Sequence, residues 1–320
     1  MRFGTVSIVG RTNVGKSTFL NAVLGEDLAI VSPLPQTTRD TLLGVVTRED
    51  AQIAFVDTPG LHEPKSELGR RMNLQALDAL RGTDAVLFMT DTDVLLRGSG
   101  TKPPEIAAED RDIVARLPKE TPVVLVVNKV DRVKNKPLLL PLLEAWSKLH
   151  DFRAIVPTSV LRDDGVDRVL DELVALLPES EPAYAADTLT DRPMQFFVRE
   201  YVREQILNAT RGEVPHAVAV TVDRYEEGRI PRIAATIHVE KPGQRKILVG
   251  EGGAMLRRIG TAARKRIEHL VGKHVYLELF VRVTERWKNA PRMLSELGYE
   301  TTDAPEPEEP RRRARPRRSP

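Results

Sequence analysis

Residues 9–21 read VGRTNVGKSTFLN, and the fold of the first half of the chain turns on them. The spacing is Gly10-x4-Gly15-Lys16-Ser17, preceded by the apolar run TVSIV and followed by TFLNAVL. The first run reads as a buried strand and the second as a helix, which is the setting a phosphate-binding loop requires. Gly10 and Gly15 let the backbone curl until successive N–H groups point inward at phosphate oxygens, and the helix N-terminus adds partial positive charge. Lys16 is expected to reach the β- and γ-phosphates, the Ser17 hydroxyl to ligate Mg²⁺, and Thr18 to complete the phosphate contacts.

Length and composition set the outer limits. The chain has 320 residues, 41% of them hydrophobic and 29% charged, with a net charge of +2. Those values describe an ordinary globular protein of roughly two domains. Absence of cysteine excludes a disulfide framework and thiolate metal sites and fits a reducing compartment. The N-terminus enters strand-like sequence at once, so no signal peptide is expected, and runs such as VVLVV and LLLPLL are too short to span a bilayer.

Up to residue 177 the runs TVSIV, LLGVV, IAFVD, DAVLFMT, PVVLVVN and AIVPTS alternate with helical patterns. This predicts an α/β domain, 1–177, with a mostly parallel sheet, helices on both faces, and LLGVV antiparallel to IAFVD. Ligands of such sheets lie at the carboxyl ends of strands. Asp57-Thr58-Pro59-Gly60 closes IAFVD, where Asp57 can hold Mg²⁺ through water and the Gly60 N–H can meet a γ-phosphate. Asn128-Lys129-Val130-Asp131 closes PVVLVV and selects the base. Guanine offers N1–H and its N2 amino group to one carboxylate, and adenine would leave Asp131 unpaired. Lys129 is expected to cover the base and Asn128 to brace the phosphate loop. Thr158, Ser159 and Val160, after a further strand, are placed to offer backbone N–H groups to the guanine oxygen. The motifs in order predict GTP. In SPLPQTTRDT, residues 32–41, Thr37 and Thr38 are candidates to complete the Mg²⁺ shell.

Residues 178–193, PESEPAYAADTLTDRP, read as a linker. From Met194 the order helix, two strands, helices, strand, helix predicts a separate α+β domain, 194–300. ILVGEGGAMLRRI, residues 247–259, holds the turn Gly250-Glu251-Gly252-Gly253 between two helices, the GxxG arrangement by which KH domains clamp a single-stranded backbone. Between Lys241 and Lys288 there are twelve Lys and Arg against four Glu and no Asp, an electrostatic footprint for nucleic acid. Lys246, Arg257, Arg258 and Lys265 join the four loop residues as candidate RNA contacts. The end, 301–320, is too polar to pack and is expected to be disordered, with its arginines adding phosphate contacts.

GRTNVGKST, PQTTRD, DTPG, NKVD and ILVGEGG together resemble the Era GTPase family, in its order and spacing, over everything but the tail. The resemblance implies a Ras-like GTPase domain joined to a type II-like KH domain, and it favours Thr38, just before Arg-Asp, over Thr37. It implies Lys16, Thr38 and Gly60 as the catalytic set and a monomer in the cytoplasm. The implied partners are the small ribosomal subunit and its 16S-type rRNA, with contact to the inner membrane face in some members. A membrane-docked signalling switch whose KH fold binds protein is the alternative, with Trp287, Met293, Leu294 and Leu297 as its apolar candidates. Those four residues also read as helix core. Departures from the family are Thr12 for proline, Glu251 in the GxxG turn, Val160 in the base loop and a longer LLRGSGTKPPE loop. Leu61 stands where many relatives of the Ras type carry glutamine, so intrinsic hydrolysis is expected to be slow. Asn13 matches the asparagine with which potassium-activated relatives hold K⁺.

Overall fold

The computed structural model describes residues 1–97 and 105–299. The tail from 301 and the centre of the LLRGSGTKPPE loop lie outside the described residues.

The first sheet is built from β1 (Arg2–Gly10), β2 (Leu42–Thr47), β3 (Ala51–Asp57), β4 (Ala85–Asp91), β5 (Val123–Asn128) and β6 (Ala154–Pro157), in the order β2-β3-β1-β4-β5-β6. All neighbours are parallel except β2 and β3, which pair antiparallel from Leu42 opposite Asp57 to Thr47 opposite Gln52. The central strands are largely apolar because both faces are covered. Successive side chains of a strand point to opposite faces, and the cores follow that rule. Leu87 and Met89 of β4 and Val124 and Val126 of β5 enter one core, beneath α1 (Lys16–Leu24) and α6 (Val166–Leu176). Phe88 of β4 and Leu125 and Val127 of β5 enter the other. That second core also takes side chains from α2 (Glu67–Asp78), α4 (Ala108–Val114) and α5 (Leu139–Leu149). A short α3 (Asp93–Arg97) follows β4.

The linker stretch, 178–193, is strapped to the sheet. Val45 of the edge strand donates to Leu189 O at 2.8 Å, and the Gln52 amide exchanges hydrogen bonds of 2.9 and 3.0 Å with the backbone of Tyr184. Its composition offers little apolar surface, but its backbone groups can satisfy a strand edge that would otherwise stay unpaired.

Beyond it come α7 (Met194–Ala209), β7 (Ala219–Glu226), β8 (Arg232–Val239), α8 (Pro242–Val249), α9 (Ala254–Val271), β9 (Tyr276–Val283) and α10 (Pro291–Glu296). β8 is central, antiparallel to β7 and parallel to β9. Val202 and Ile206 of α7, Leu248 of α8 and Ile259 and Ala263 of α9 close over Val220, Ala235 and Ile237 on one face. This αββααβ order is the α+β fold expected from the sequence.

The two units meet along α2 and α7. Trp287, Leu294, Leu297 and Tyr299 pack on Leu68 and Met72 of α2. Trp287 is fully buried, donates to Ala217 O at 3.0 Å and stacks on Tyr299. Trp287, Leu294 and Leu297 near the C-terminus are therefore core, with Met293 packed partly buried against them. Among the described residues no helix is long and apolar enough to cross a membrane. Truncation of Trp287 to alanine should cost about 3–5 kcal/mol, read as a lower urea midpoint with an unchanged slope. A loss below about 1 kcal/mol would mean that this contact is not holding the units together.

Candidate nucleotide site and nucleic-acid groove

The loops after β1, β3, β5 and β6 converge at the carboxyl edge of the sheet around a cavity of about 490 Å³, within the range of small-ligand sites. Its wall includes Asn13, Gly15, Lys16, Ser17, Thr18, Thr38, Gly60, Asn128, Lys129 and Asp131.

The loop Gly10–Gly15 is held by its carbonyl groups. Lys16 Nζ donates to Gly10 O at 3.1 Å and to Arg11 O at 2.9 Å. Lys129 Nζ donates to Asn13 O at 2.7 Å and Asn128 Nδ2 to Val14 O at 2.9 Å. Gly15 sits at φ 112°, and a Cβ there would come 2.3 Å from Asn128 Nδ2, so only glycine fits both the torsion and the contact. Gly60 lies as tightly against Thr12, 2.7 Å from its backbone by the same test. Burial pushes the Lys16 ammonium down to about 8, with Asp57 pulling it back up. Its environment is built to receive negative charge.

Ser17 Oγ donates to Asp57 Oδ2 at 2.6 Å and lies 2.9 Å from Thr38 Oγ1. Burial pushes the Asp57 carboxyl up to about 6, against Lys16 and the Ser17 hydroxyl. Its Oδ1 is buried with no hydrogen-bond partner. Three hard oxygen ligands converging beside an unsatisfied carboxylate oxygen suit Mg²⁺. Thr37 Oγ1 instead turns back to Leu34 O at 2.7 Å, so it is Thr38 that meets Ser17. Asn13, at φ 63°, donates its side-chain amide to Pro33 O at 2.9 Å. Leu61 points into the apolar core behind the sheet.

At the far end Ser159 Oγ donates to Asp131 Oδ1 at 2.7 Å. That hydrogen bond, with Arg162 nearby, holds the Asp131 carboxyl below the usual range, so it stays an acceptor at neutral pH. One expectation for this loop changes. Val160 N donates to Asn128 Oδ1 at 3.1 Å, and Ser159 N donates to Asp164 O at 2.9 Å. Both N–H groups are committed inside the protein, because the loop must brace Asn128 before it can face a base. Ser159 bears on the cavity through its hydroxyl, and Leu161 rather than Val160 lines the cavity.

A second set of residues escaped the sequence reading. Asp91, at the end of β4, accepts from Lys129 at 2.6 Å and from Arg11 at 3.3 Å. Asp110 of α4 takes Arg11 Nε at 2.8 Å and the Thr90 hydroxyl at 2.9 Å. Asp91 terminates an apolar strand just as Asp57 and Asn128 do, and that signal could have found it. Asp110 carries no such signal, since its partners come from other elements.

On the KH unit, Gly250, Gly252 and Gly253 take φ of 70°, 55° and 78°, joining α8 to α9 through a tight turn. Gly252 and Gly253 have open space where a Cβ would be. Gly253, Leu256, Arg257, Gly260 and Arg264 of this helix face Leu277 and Leu279 of β9 across a groove of about 320 Å³. Arg258 and Lys265 lie on the neighbouring flank of α9 with Ala254 and Ala262. Lys246 is exposed on α8, and Glu251 is exposed in the turn. Arg257, Arg258 and Lys265 thus lie along α9 beside the turn, together with Arg264, which the sequence reading did not single out.

The family described as 50S ribosome-binding GTPase matches residues 5–129, and the KH domain family matches 213–288. GTPase Era of Lacticaseibacillus paracasei is 46% identical over 303 residues, covering 94% of this chain and 97% of that protein. GTPase Era of Ruminiclostridium cellulolyticum is 41% identical over 301 residues, covering 93% and 97%. A crystal structure of Era in complex with MgGDPNP and nucleotides 1506–1542 of 16S ribosomal RNA superposes with a TM-score of 0.87 at 36% identity, covering 93% of this chain and 99% of that one. An alanine variant of Era from Aquifex aeolicus bound to GDP·AlF4⁻ gives 0.86 at the same identity and coverage. Fold, motif order and identity over nearly the whole chain agree: the protein belongs to the Era GTPase family.

Proposed function

We propose that this GTPase is a nucleotide-controlled switch that binds small-subunit rRNA through its KH unit and assists assembly of the small ribosomal subunit. The observation that carries the reading is the pairing on one chain of a phosphate loop, closed by Asp131, with a glycine-edged groove flanked by Arg257, Arg258, Arg264 and Lys265. A relative crystallised with a magnesium-bound GTP analogue and a 16S rRNA fragment supports the same pair of ligands here. In this reading 1–177 is the nucleotide unit, 178–193 the connecting strap and 194–300 the KH unit.

The loop N–H groups and Lys16 hold the β- and γ-phosphates, with Thr18 behind them at the start of α1. Ser17, Thr38 and, through water, Asp57 would hold Mg²⁺, which would neutralise phosphate charge. Gly60 N–H meets the γ-phosphate, Lys129 covers the guanine and Asp131 accepts its N1–H and N2 donors. Leu61 offers no hydrogen bond, so the attacking water is oriented by backbone, a partner or a cation. K⁺ near Asn13 is the cation in this proposal. Filter binding of a 16S rRNA 3′ fragment with GTP and with GDP tests the whole reading. Equal, sequence-independent retention in both states would sink it.

Asp131→Asn should weaken GTP binding by about 10²-fold or more and improve xanthosine triphosphate binding, because xanthine replaces the N2 donor by an acceptor. Nucleotide titrations on both proteins check this, and an unchanged GTP preference would remove Asp131 from the base site. Replacing Na⁺ by K⁺ at constant ionic strength should raise GTP turnover, and Asn13→Ala should lose that difference while keeping GDP affinity. Equal rates in the two salts would leave Asn13 with only its tie to Pro33. Replacing Gly252 and Gly253 by Asp should abolish the preference for matched over scrambled RNA, through lost left-handed torsions and added negative charge, while GTP affinity stays within about twofold. Retained preference would move the specific contact away from the GxxG turn.

A further inference from the structure

The segment between α1 and β2 carries Thr38, and it is fastened mainly from the other unit. At its start Asp27 O accepts from Tyr201 Oη at 3.2 Å and from Arg266 at 2.8 Å. Around Thr38 the ties are denser. Arg203 of α7 donates to Thr37 O. Arg39 reaches Val218 O at 2.6 Å and lies 5.8 Å from the centre of the Trp287 ring. Asp40 pairs with Arg199 of α7 at 2.6 Å, and Thr41 O accepts from Arg192 at 2.5 Å. Thr38 itself turns the other way, to Ser17 at 2.9 Å.

Arg203 is the centre of this arrangement. It is fully buried, and its guanidinium also binds Glu200 one turn earlier on α7. Burial pushes the Glu200 carboxyl up, and Arg203, with Arg199 and Arg39 beside it, outweighs that and holds it below the usual range. The pair is therefore ionised, and Glu200 holds the guanidinium on its own helix while it reaches across. Its acceptor is a backbone carbonyl. Because the peptide unit is planar and trans, fixing Thr37 O also sets the direction of the Thr38 N–H and the place of its Cα.

We propose that Arg203 is a positioning residue for recognition of the GTP state, acting from the KH unit through the Thr37 carbonyl to hold Thr38 over Ser17. The inference rests on Thr38 as a ligand used with GTP and not with GDP. It follows that α7 contributes to nucleotide discrimination without touching nucleotide. Residues 36–41 would otherwise carry the entropy of ordering a polar loop at each turnover, and the buried guanidinium lowers that cost in advance.

The test is titration of full-length protein with a fluorescent non-hydrolysable GTP analogue and with fluorescent GDP, at limiting Mg²⁺. Arg203→Ala should weaken the analogue by roughly tenfold or more, the scale of a lost charged hydrogen bond, while GDP affinity stays within about twofold. Arg203→Lys, which keeps one donor for Thr37 O, should recover part of the loss. In a Thr38→Ala background Arg203→Ala should add little, since residues acting through one another are not additive. If Arg203→Ala does not fold, Glu200→Gln, which loosens the guanidinium, should shift the same ratio in the same direction by a smaller factor. Parallel loss of both nucleotides, full additivity with Thr38→Ala, or an unchanged ratio in a folded variant would each overturn the proposal. Failure of the wild-type protein to bind the analogue would instead overturn the GTP reading itself.

Discussion

The nucleotide end of this molecule depends on where the carbonyl groups of one loop go. Gly10, Arg11, Asn13 and Val14 each hand a carbonyl oxygen to a side chain: Lys16, Lys16, Lys129 and Asn128 respectively. A loop whose acceptors are satisfied on the outside can leave its donors facing the cavity, and a buried backbone polar group left unpaired would be costly. The same contacts join the phosphate motif to the base motif. Lys129 and Asn128 stand at the end of β5, so the distance between phosphate and base regions is set by the sheet rather than by loops. Asp91 and Asp110 then lock Lys129 and Arg11 in place.

The contact between the units is unusual in being carried largely by arginines that address backbone oxygens. Arg39 reaches Val218 O, Arg71 the carbonyls of Pro291 and Tyr299, and Arg203 that of Thr37. A guanidinium presents several donors in a rigid fork, so one side chain can satisfy acceptors from two segments at once. An interface of this kind is specific in register, because a shift of one residue would leave buried donors unmatched. Apolar packing of Trp287, Leu294 and Tyr299 against α2 supplies the area, and the arginines supply the alignment. The segment 27–41, which lines the nucleotide cavity, and α2 thereby both have the KH unit as a neighbour.

The chemistry was legible in the sequence wherever it depends on residues close together along the chain. The P-loop, DTPG, NKVD and GxxG are local backbone devices, and the strands that present them show as apolar runs whose alternation fills two cores. The antiparallel pairing of β2 with β3 was readable for the same reason, since a short connection allows little else. The less legible parts lie elsewhere. Composition marked residues 178–193 as a linker, and no local pattern announces that their backbone pairs with a strand edge. The N–H groups of Ser159 and Val160 looked available for a base until Asn128 and Asp164 were seen to take them.

By itself, then, the sequence determined the two fold classes, the guanine nucleotide and the position of the RNA-type turn, because each is encoded by residue type at short spacing. Only the tertiary structure decided which side chain serves which. It joined Asp91 and Asp110 to the phosphate loop, added Arg264 to the groove and set Arg203 against Thr37. Those pairings run between residues up to 166 positions apart. Their energy comes from burial and from matched donors and acceptors, quantities that exist only once the chain has folded and water has left the interface.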